Sequence, residues 1–348
     1  MQAVQFFHQQ QKTNRQWQLV LSAVVFVLAL VSLGFGPAGW DWRLAVAWMM
    51  PDAFSQFSDI QINIVTQIRI PRFCMAMLIG AALAQSGAAT QALCKNPLAD
   101  PSIIGITAGA AAMAATLIAF APKFGINPDV WVPYGAFVGA LVVTSLVHQV
   151  SKRNNEVQVT TLILLGVAVN AICMAAIGLV SFYADDSSLR LITYWTMGSL
   201  AGANWQALMQ ALPLFLISMV GLYLKRKELN ILLLGEAEAR YLGINIKRLK
   251  NQIIVLVAVG VGAAVAISGM IGFIGLVVPH ITRLIVGANM NNLLPLTFLT
   301  GALVLLIADW LARVLVSPAE LPIGIITAVI GAPAFIYLLM KQQGKQND

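Results

Sequence analysis

Residues 251–287 read NQIIVLVAVGVGAAVAISGMIGFIGLVVPHITRLIVG, an apolar run interrupted by glycine and proline. A membrane crossing needs about 20 apolar residues at a rise of about 1.5 Å each, so this run is too long for a single crossing. Gly272, Gly275 and Pro279 break it. We therefore predict a long helix followed by a short one, with irregular backbone between them. At membrane depth such a break is tolerated only where protein packs around it or where it lines a cavity.

The composition of the whole chain is that of a membrane protein. Of 348 residues, 59% are hydrophobic and 10% are charged, and the mean hydropathy is +0.81. Soluble domains carry about 25% charged residues, so this chain cannot cover a water-facing surface and must be solvated by membrane lipid. We predict an all-α polytopic fold in a single domain, 1–348. About ten apolar segments are long enough for helices: 19–35, 73–93, 102–121, 131–150, 159–182, 206–224, 251–271, 273–287, 293–316 and 321–340.

The distribution of charge predicts the orientation. Lys12 and Arg15 precede the first apolar segment, which we interpret as an uncleaved transmembrane helix because it is long and no small-x-small cleavage site follows. Ten crossings put both termini on one side. If that side is the cytoplasm, it holds most of the 21 basic residues, as the positive-inside rule requires. We therefore expect both termini in the cytoplasm, together with the long loop, residues 225–250.

A short internal repeat suggests duplication. Residues 80–87 read GAALAQSG and residues 262–269 read GAAVAISG, with six of the eight positions identical. An odd number of crossings separates the copies, so the two five-helix halves would be inverted relative to each other, as in many transporters. The same small residues also allow helices to approach closely, which is their structural interpretation.

Residue types that carry chemistry are scarce. The chain has no Walker loop, HExxH motif or nucleophile elbow, and its three histidines are scattered. Cys74, Cys94 and Cys173 lack the spacing of a metal or redox site, and no basic stripe interleaved with aromatic residues indicates nucleic acid. We therefore expect no catalytic residue, no metal, no cofactor and no nucleic-acid partner.

Charge within the apolar segments is the remaining signal. Asp309 and Arg313 lie four residues apart on one helix face, near the predicted outer end of the ninth segment. They form either a self-neutralising structural pair or, with Arg313 facing outward beside Arg69, a cationic socket for the acidic residues of an extracytoplasmic protein. Asp309 is also the one carboxylate that an ion-coupled secondary transporter could use. A membrane receptor or scaffold is a further alternative.

Seven segments of the chain form a set of motifs: RIPR at 69–72, SGAATQALCKNPLADPSIIGITAGA at 86–110, YWTMGSL at 194–200, LGEAEARYLGI at 234–244, SGMIGFIGLVVPHITR at 268–283, ADWLAR at 308–313 and ELPIGIITAVIGAPAFIYLL at 320–339. Together they resemble the FecCD-type permeases, which form the membrane channel of ABC importers for ferric siderophores, haem and cobalamin. The resemblance covers nearly the whole chain. Within this family, the glutamine-rich basic start before Trp17 and the segments LRLITYWTMGS and AELPIG are most similar to cobalamin permeases, while haem and siderophore permeases share most of the other motifs.

The resemblance implies partners and sites. It implies a homodimer of ten-helix subunits in the bacterial inner membrane, two cytoplasmic ATP-binding subunits docked on residues 231–246, and a periplasmic substrate-binding protein contacting Arg69 and Arg313. The family's cytoplasmic gate is hydroxyl-rich at the start of the fifth crossing, where this chain has Val159. The residues implied at the ATPase contact are Gly235, Glu236, Ala239, Arg240, Leu242 and Gly243, and those at the gate and path are Asn96, Pro97, Leu98, Val159 and Thr160.

Overall fold

The computed structural model describes residues 2–36, 39–40, 57–154 and 156–344, and they are almost entirely helical. In the first half, a π-helical turn, Ile64–Arg69, joins helix Asp59–Asn63 to helix Ile70–Cys94, and a 3-10 turn, Pro101–Ile104, precedes helix Ile106–Phe120. Two antiparallel two-residue pairs connect helices, β1 Phe35–Gly36 with β2 Gly39–Trp40 and β3 Lys152–Arg153 with β4 Glu156–Val157. The helices are α1 Gln2–Gly34, α2 Asp59–Asn63, α3 Ile70–Cys94, α4 Ile106–Phe120, α5 Pro128–Val150, α6 Val159–Tyr183 and α7 Asp186–Met197.

The second half contains the broken stretch and the long loop. The helices are α8 Trp205–Leu224, α9 Arg226–Leu232, α10 Glu236–Tyr241, α11 Ile246–Ser268, α12 Ile274–Val286, α13 Met290–Val314 and α14 Ile323–Gly344.

The structure confirms the all-α polytopic fold class. Eight helical segments of the described residues are long and apolar enough to cross a membrane, and two shorter apolar helices, Ile274–Val286 and Ile323–Tyr337, accompany them. The predicted break lies at residues 269–273, between α11 and α12. Gly269 and Phe273 both have positive φ there, 69° and 68°. The second crossing begins earlier than predicted. It is continuous from Asp59 to Cys94, whereas the sequence indicated a start at residue 73.

Cross-helix contacts show that successive crossings alternate in direction. Arg72, near the start of α3, contacts Asp309, near the end of α13, and Trp205 at the start of α8 donates to the Thr66 carbonyl at 2.7 Å. We call this the Arg72 end. At the opposite, long-loop end, Asn230 of α9 accepts from the Met290 backbone N–H at the start of α13. The repeat-bearing helices α3 and α11 therefore run in opposite directions, as the predicted inverted halves require.

Helix α3 is the central element, packed on α8, α11, α12 and α13. Its glycines permit backbone-to-backbone approach: a Cβ on Gly80 would overlap the Gly301 carbonyl, and one on Gly87 would overlap the Gly275 carbonyl. The first copy of the repeat thus has the structural use predicted for its small residues, because close helix approach needs positions without side chains.

Candidate functional site

The long loop folds into a compact platform at its own end of the molecule. Gly235, with φ 152°, separates α9 from α10, and Ala239 of α10 is fully buried. Gly243, with φ 82°, follows, and the Ile244 backbone N–H donates to the Ala239 carbonyl at 3.0 Å. Both glycines are needed because a residue with a Cβ rarely adopts these conformations.

The outer surface of this platform is apolar and exposed. Tyr241 is 92% exposed, Leu242 is 63% exposed, and Leu234, which precedes α10, is 70% exposed. Large apolar side chains outside the membrane-crossing helices cost free energy when they face water, so a cluster of them marks an interaction surface.

The platform is bonded to the segment that leads into α6. Arg240 pairs with Glu156 of β4 at 2.6 Å. The ammonium group of Lys250, at the beginning of α11, contacts Glu236 at 2.8 Å and donates to the Val157 carbonyl at 3.1 Å. Two predicted ATPase-contact residues, Arg240 directly and Glu236 through Lys250, are thus linked to residues 156 and 157, just before predicted gate residue Val159, which begins α6.

The second predicted gate segment follows α3. Lys95 ends this helix in the left-handed region, and the Asn96 side chain accepts from the Leu98 backbone N–H at 2.9 Å. Pro97 lies between them in the turn. This segment leads into the 3-10 turn Pro101–Ile104, which contacts α6, because the Asn170 side-chain amide donates to the Ser102 carbonyl at 3.2 Å. The two gate segments therefore lie on elements that contact each other.

A cavity of about 570 Å³ lies beside the broken stretch. The break supplies Met270 and Phe273, and Leu83, Thr107 and Ala328 line other walls. Of the two settings in which such a break is tolerated at membrane depth, packed protein or a cavity, the structure shows a cavity beside it. It is mostly apolar, so it can accommodate bulk without strong ligands.

One carboxylate also lines this cavity. Asp100 accepts from the Ser102 backbone N–H at 2.8 Å. Burial raises the pKa of Asp100, and the hydrogen bonds from Ser102 oppose that shift. In the described residues no group of three or more His, Cys, Asp and Glu side chains could hold a metal ion.

The opposite end of the molecule carries a buried charge network. Arg72 contacts Asp309 at 2.9 Å and Glu320 at 2.9 Å, and Arg313 contacts Asp309 at 3.2 Å. Asp309 is 2% exposed and Arg313 is 7% exposed. The predicted Asp309–Arg313 pair is therefore present, with Arg72 as a third member.

Both predicted socket arginines are largely buried in the single chain. Arg313 does not face outward, because it also donates to the Ser32 hydroxyl of α1 at 3.0 Å and is enclosed by helices. Arg69 is likewise 9% exposed. Asp309 compensates the charge of the buried Arg313 guanidinium group, since an unpaired buried charge is costly.

Sequence reasoning missed four members of these two clusters. Lys250 and Glu156 tie the long loop to α6, and Arg72 and Glu320 complete the charge network. Arg72 and Glu320 lay within quoted motifs, RIPR and ELPIG, but neither motif indicated their partners.

Comparison with known proteins agrees with this architecture. The FecCD transport family profile matches residues 20–341. The haemin transport system permease of Yersinia pestis is 38% identical over 336 residues, covering 95% of this chain and 98% of the relative. The vitamin B12 import system permease of Vibrio cholerae is 37% identical over 335 residues, covering 96% of each.

Solved structures also resemble this chain in fold. A metal-chelate type ABC transporter in an inward-facing conformation has a TM-score of 0.81 and 35% identity, covering 94% of this chain and 99% of that chain. PsaBC of Streptococcus pneumoniae, solved with a Fab, shares the fold alone, with 15% identity and a TM-score of 0.52. The resemblance found in the sequence motifs is thus confirmed, and this multi-pass membrane protein belongs to the FecCD transport family.

Proposed function

We propose that this chain is the membrane permease subunit of an ATP-driven importer that brings a metal chelate into the bacterial cytoplasm. The observation that carries the proposal is the long-loop platform: its apolar outer surface is exposed, and its inner side is bonded to the start of α6. A chain without a Walker motif must obtain its energy from another subunit. An exposed platform tied to a membrane-crossing helix is suited to receive it.

The partners follow from the same reasoning. Two cytoplasmic ATPase subunits bind the platform, and a periplasmic substrate-binding protein binds the Arg72 end. Within the buried network at that end, Arg69, Arg72 and Arg313 outnumber Asp309 and Glu320, and these arginines are the expected contacts for acidic residues of the binding protein. This orientation places both termini in the cytoplasm.

A second copy of the chain completes the channel. Helix α6 is the most apolar of the candidate crossings, yet only 11% of its most apolar stretch is buried within the protomer. A homodimer would cover part of this surface and place the α6 gate residues of both copies on a common axis. Native mass spectrometry of the detergent-solubilised complex should find two copies.

Cobalamin is the leading substrate and haem is the second candidate. The segments LRLITYWTMGS and AELPIG favour cobalamin. Haem stays a candidate because the haemin permease is as similar to this chain, at 38% identity, as the vitamin B12 permease is, at 37%. Ferric siderophores are the remaining class. In each case the cargo is a bulky preformed chelate, so an apolar path with few strong ligands lets it pass without trapping it.

Uptake into proteoliposomes tests the proposal. The chain is reconstituted with its ATPase and binding-protein partners and offered radiolabelled cobalamin, haem and a ferric siderophore. We expect ATP-dependent, vanadate-sensitive uptake of cobalamin. Uptake of haem in its place would reverse the order of the candidates. Uptake abolished by an uncoupler and indifferent to vanadate would instead indicate an ion-coupled secondary transporter, and no flux at all would indicate a receptor or scaffold.

A further inference from the structure

The Lys250 side chain joins three separate segments of the chain. Lys250 is in the first turns of α11 and is 4% exposed. Its ammonium group contacts the Glu236 carboxylate of α10 at 2.8 Å and donates to the Val157 carbonyl of β4 at 3.1 Å. Val157 lies two residues before Val159, where α6 begins. A single buried cation therefore links the exposed platform, the gate-proximal strand and a membrane-crossing helix.

Burial makes this link stiff. An ammonium group has three donors, and two of them are directed here at fixed acceptors on different segments. Separating either acceptor from the cation would leave a charge or a carbonyl poorly compensated in a water-poor site, which is unfavourable. A displacement of α10 should therefore carry β4 with it.

A second ion pair spans the same two segments but lies on the surface. The side chains of Arg240 and Glu156 are 53% and 35% exposed. Exposed pairs contribute little and are screened by salt, so this contact transmits force poorly. It provides an internal comparison for Lys250.

We propose that Lys250 is a positioning residue that transmits movement of α10 to the start of α6 and so couples ATP hydrolysis to opening of the gate. This inference rests on the proposed function, because it takes the ATPase to act on α10. Lys250 does not contact the cargo in this role. It sets how much gate movement each ATP-driven displacement of the platform produces.

The test compares Lys250→Met with Lys250→Arg and with Arg248→Met. Methionine keeps the length of the side chain and removes its charge, and arginine keeps a cation. Arg248 is an exposed residue of the same helix. Reconstituted complexes are assayed for chelate taken up per ATP hydrolysed. Gate movement is followed by maleimide labelling of Thr160→Cys with and without ATP, after Cys74, Cys94 and Cys173 have been replaced by alanine.

We expect Lys250→Met to lower the uptake per ATP by about fivefold or more, the low end of typical coupling between sites. It should also abolish the ATP-dependent change in labelling at Thr160→Cys. Lys250→Arg should restore both readouts in part, and Arg248→Met should resemble the unsubstituted chain. Normal uptake per ATP together with normal ATP-dependent labelling in Lys250→Met would overturn the proposal and leave Lys250 a structural residue.

Two other results, an unfolded Lys250→Met protein and an ATPase that does not bind, can be told apart from loss of coupling. If Lys250→Met does not fold, Glu236→Gln gives the same test, because Glu236 is partly exposed and its substitution leaves the bond to Val157 intact. Uncoupling in that variant supports the proposal and normal coupling overturns it. If the ATPase fails to co-purify with the unsubstituted chain, the proposed function itself is wrong, and the Lys250 proposal fails with it.

Discussion

At the scale of single residues, the two buried clusters each pair a cation with a carboxylate. Arg72 shares Asp309 with Arg313 and binds Glu320 through a second nitrogen. Lys250 is compensated in the same way by Glu236. Such clusters are not net sources of large stability, but removing one member leaves the others buried without a counter-charge. We therefore expect removal of a single member to destabilise the protein far more than the small net contribution of the whole cluster indicates.

Asp309→Asn should destabilise the protein by about 3–5 kcal/mol, the usual cost of breaking a buried pair, because two guanidinium groups lose their shared carboxylate. The fraction folded is followed in detergent against increasing denaturant. Glu320→Gln is the matched control and should cost less, because the Glu320 side chain is 26% exposed and water can solvate the groups that are freed. Equal losses in the two variants would show that Asp309 is not the centre of the network.

At the scale of elements, the helices approach each other through positions that lack side chains. Gly87 of α3 faces Gly275 of α12, and Gly109 of α4 faces Gly139 of α5. The contacts are between backbones, so a neighbouring rotamer cannot relieve a clash. Helix positions of this kind fix the spacing of the bundle and hence the shape of the cavity beside the break.

Gly87→Ala should therefore destabilise the protein by about 1–3 kcal/mol, the cost of overpacking, because its Cβ would overlap the Gly275 carbonyl. The same substitution at Gly178 of α6, whose Cβ would meet nothing within 4 Å in the protomer, should change stability by about 0.5 kcal/mol or less. Thermal unfolding of both variants in the same detergent is the measurement. A Gly87→Ala protein as stable as the Gly178→Ala protein would contradict the proposed close approach of α3 and α12.

Helix α10 offers a prediction about the platform. Ala239→Trp should displace α10, because Ala239 is fully buried and has no room for an indole. We expect loss of ATPase co-purification while the permease remains monodisperse on size-exclusion chromatography. Ala239→Ser, which adds one atom, is the control and should retain the ATPase. Undiminished co-purification with Ala239→Trp would show that the ATPase binds elsewhere.

At the scale of the whole molecule, the sequence predicted what depends on local pattern. Hydropathy and the glycines of 251–287 predicted the broken pair of helices, and the four-residue spacing predicted the Asp309–Arg313 pair. The early start of the second crossing was missed because Arg69 and Arg72 look like the charged end of a helix until their partners are known. Those partners are distant in sequence, as is Val157 from Lys250, and a single sequence carries no signal for such contacts.

Orientation belongs to the whole molecule as well, and cysteine labelling in intact cells tests it. Tyr241→Cys on the platform and Phe124→Cys in the turn between α4 and α5 are both highly exposed positions, 92% and 78% in the native chain. Helix α5, of 23 residues, separates Phe124 from the β3–β4 pair to which the platform is bonded, so the two positions lie on opposite sides of the membrane.

A membrane-impermeant maleimide should label Phe124→Cys in intact cells and Tyr241→Cys only after the membrane is opened, with the three native cysteines replaced in both variants. The physical reason is the excess of basic residues on the long-loop side, which retains that side in the cytoplasm. Each variant serves as the accessibility control for the other. Labelling of Tyr241→Cys in intact cells would invert the topology, and with it the platform could no longer meet an ATPase that draws on cytoplasmic ATP.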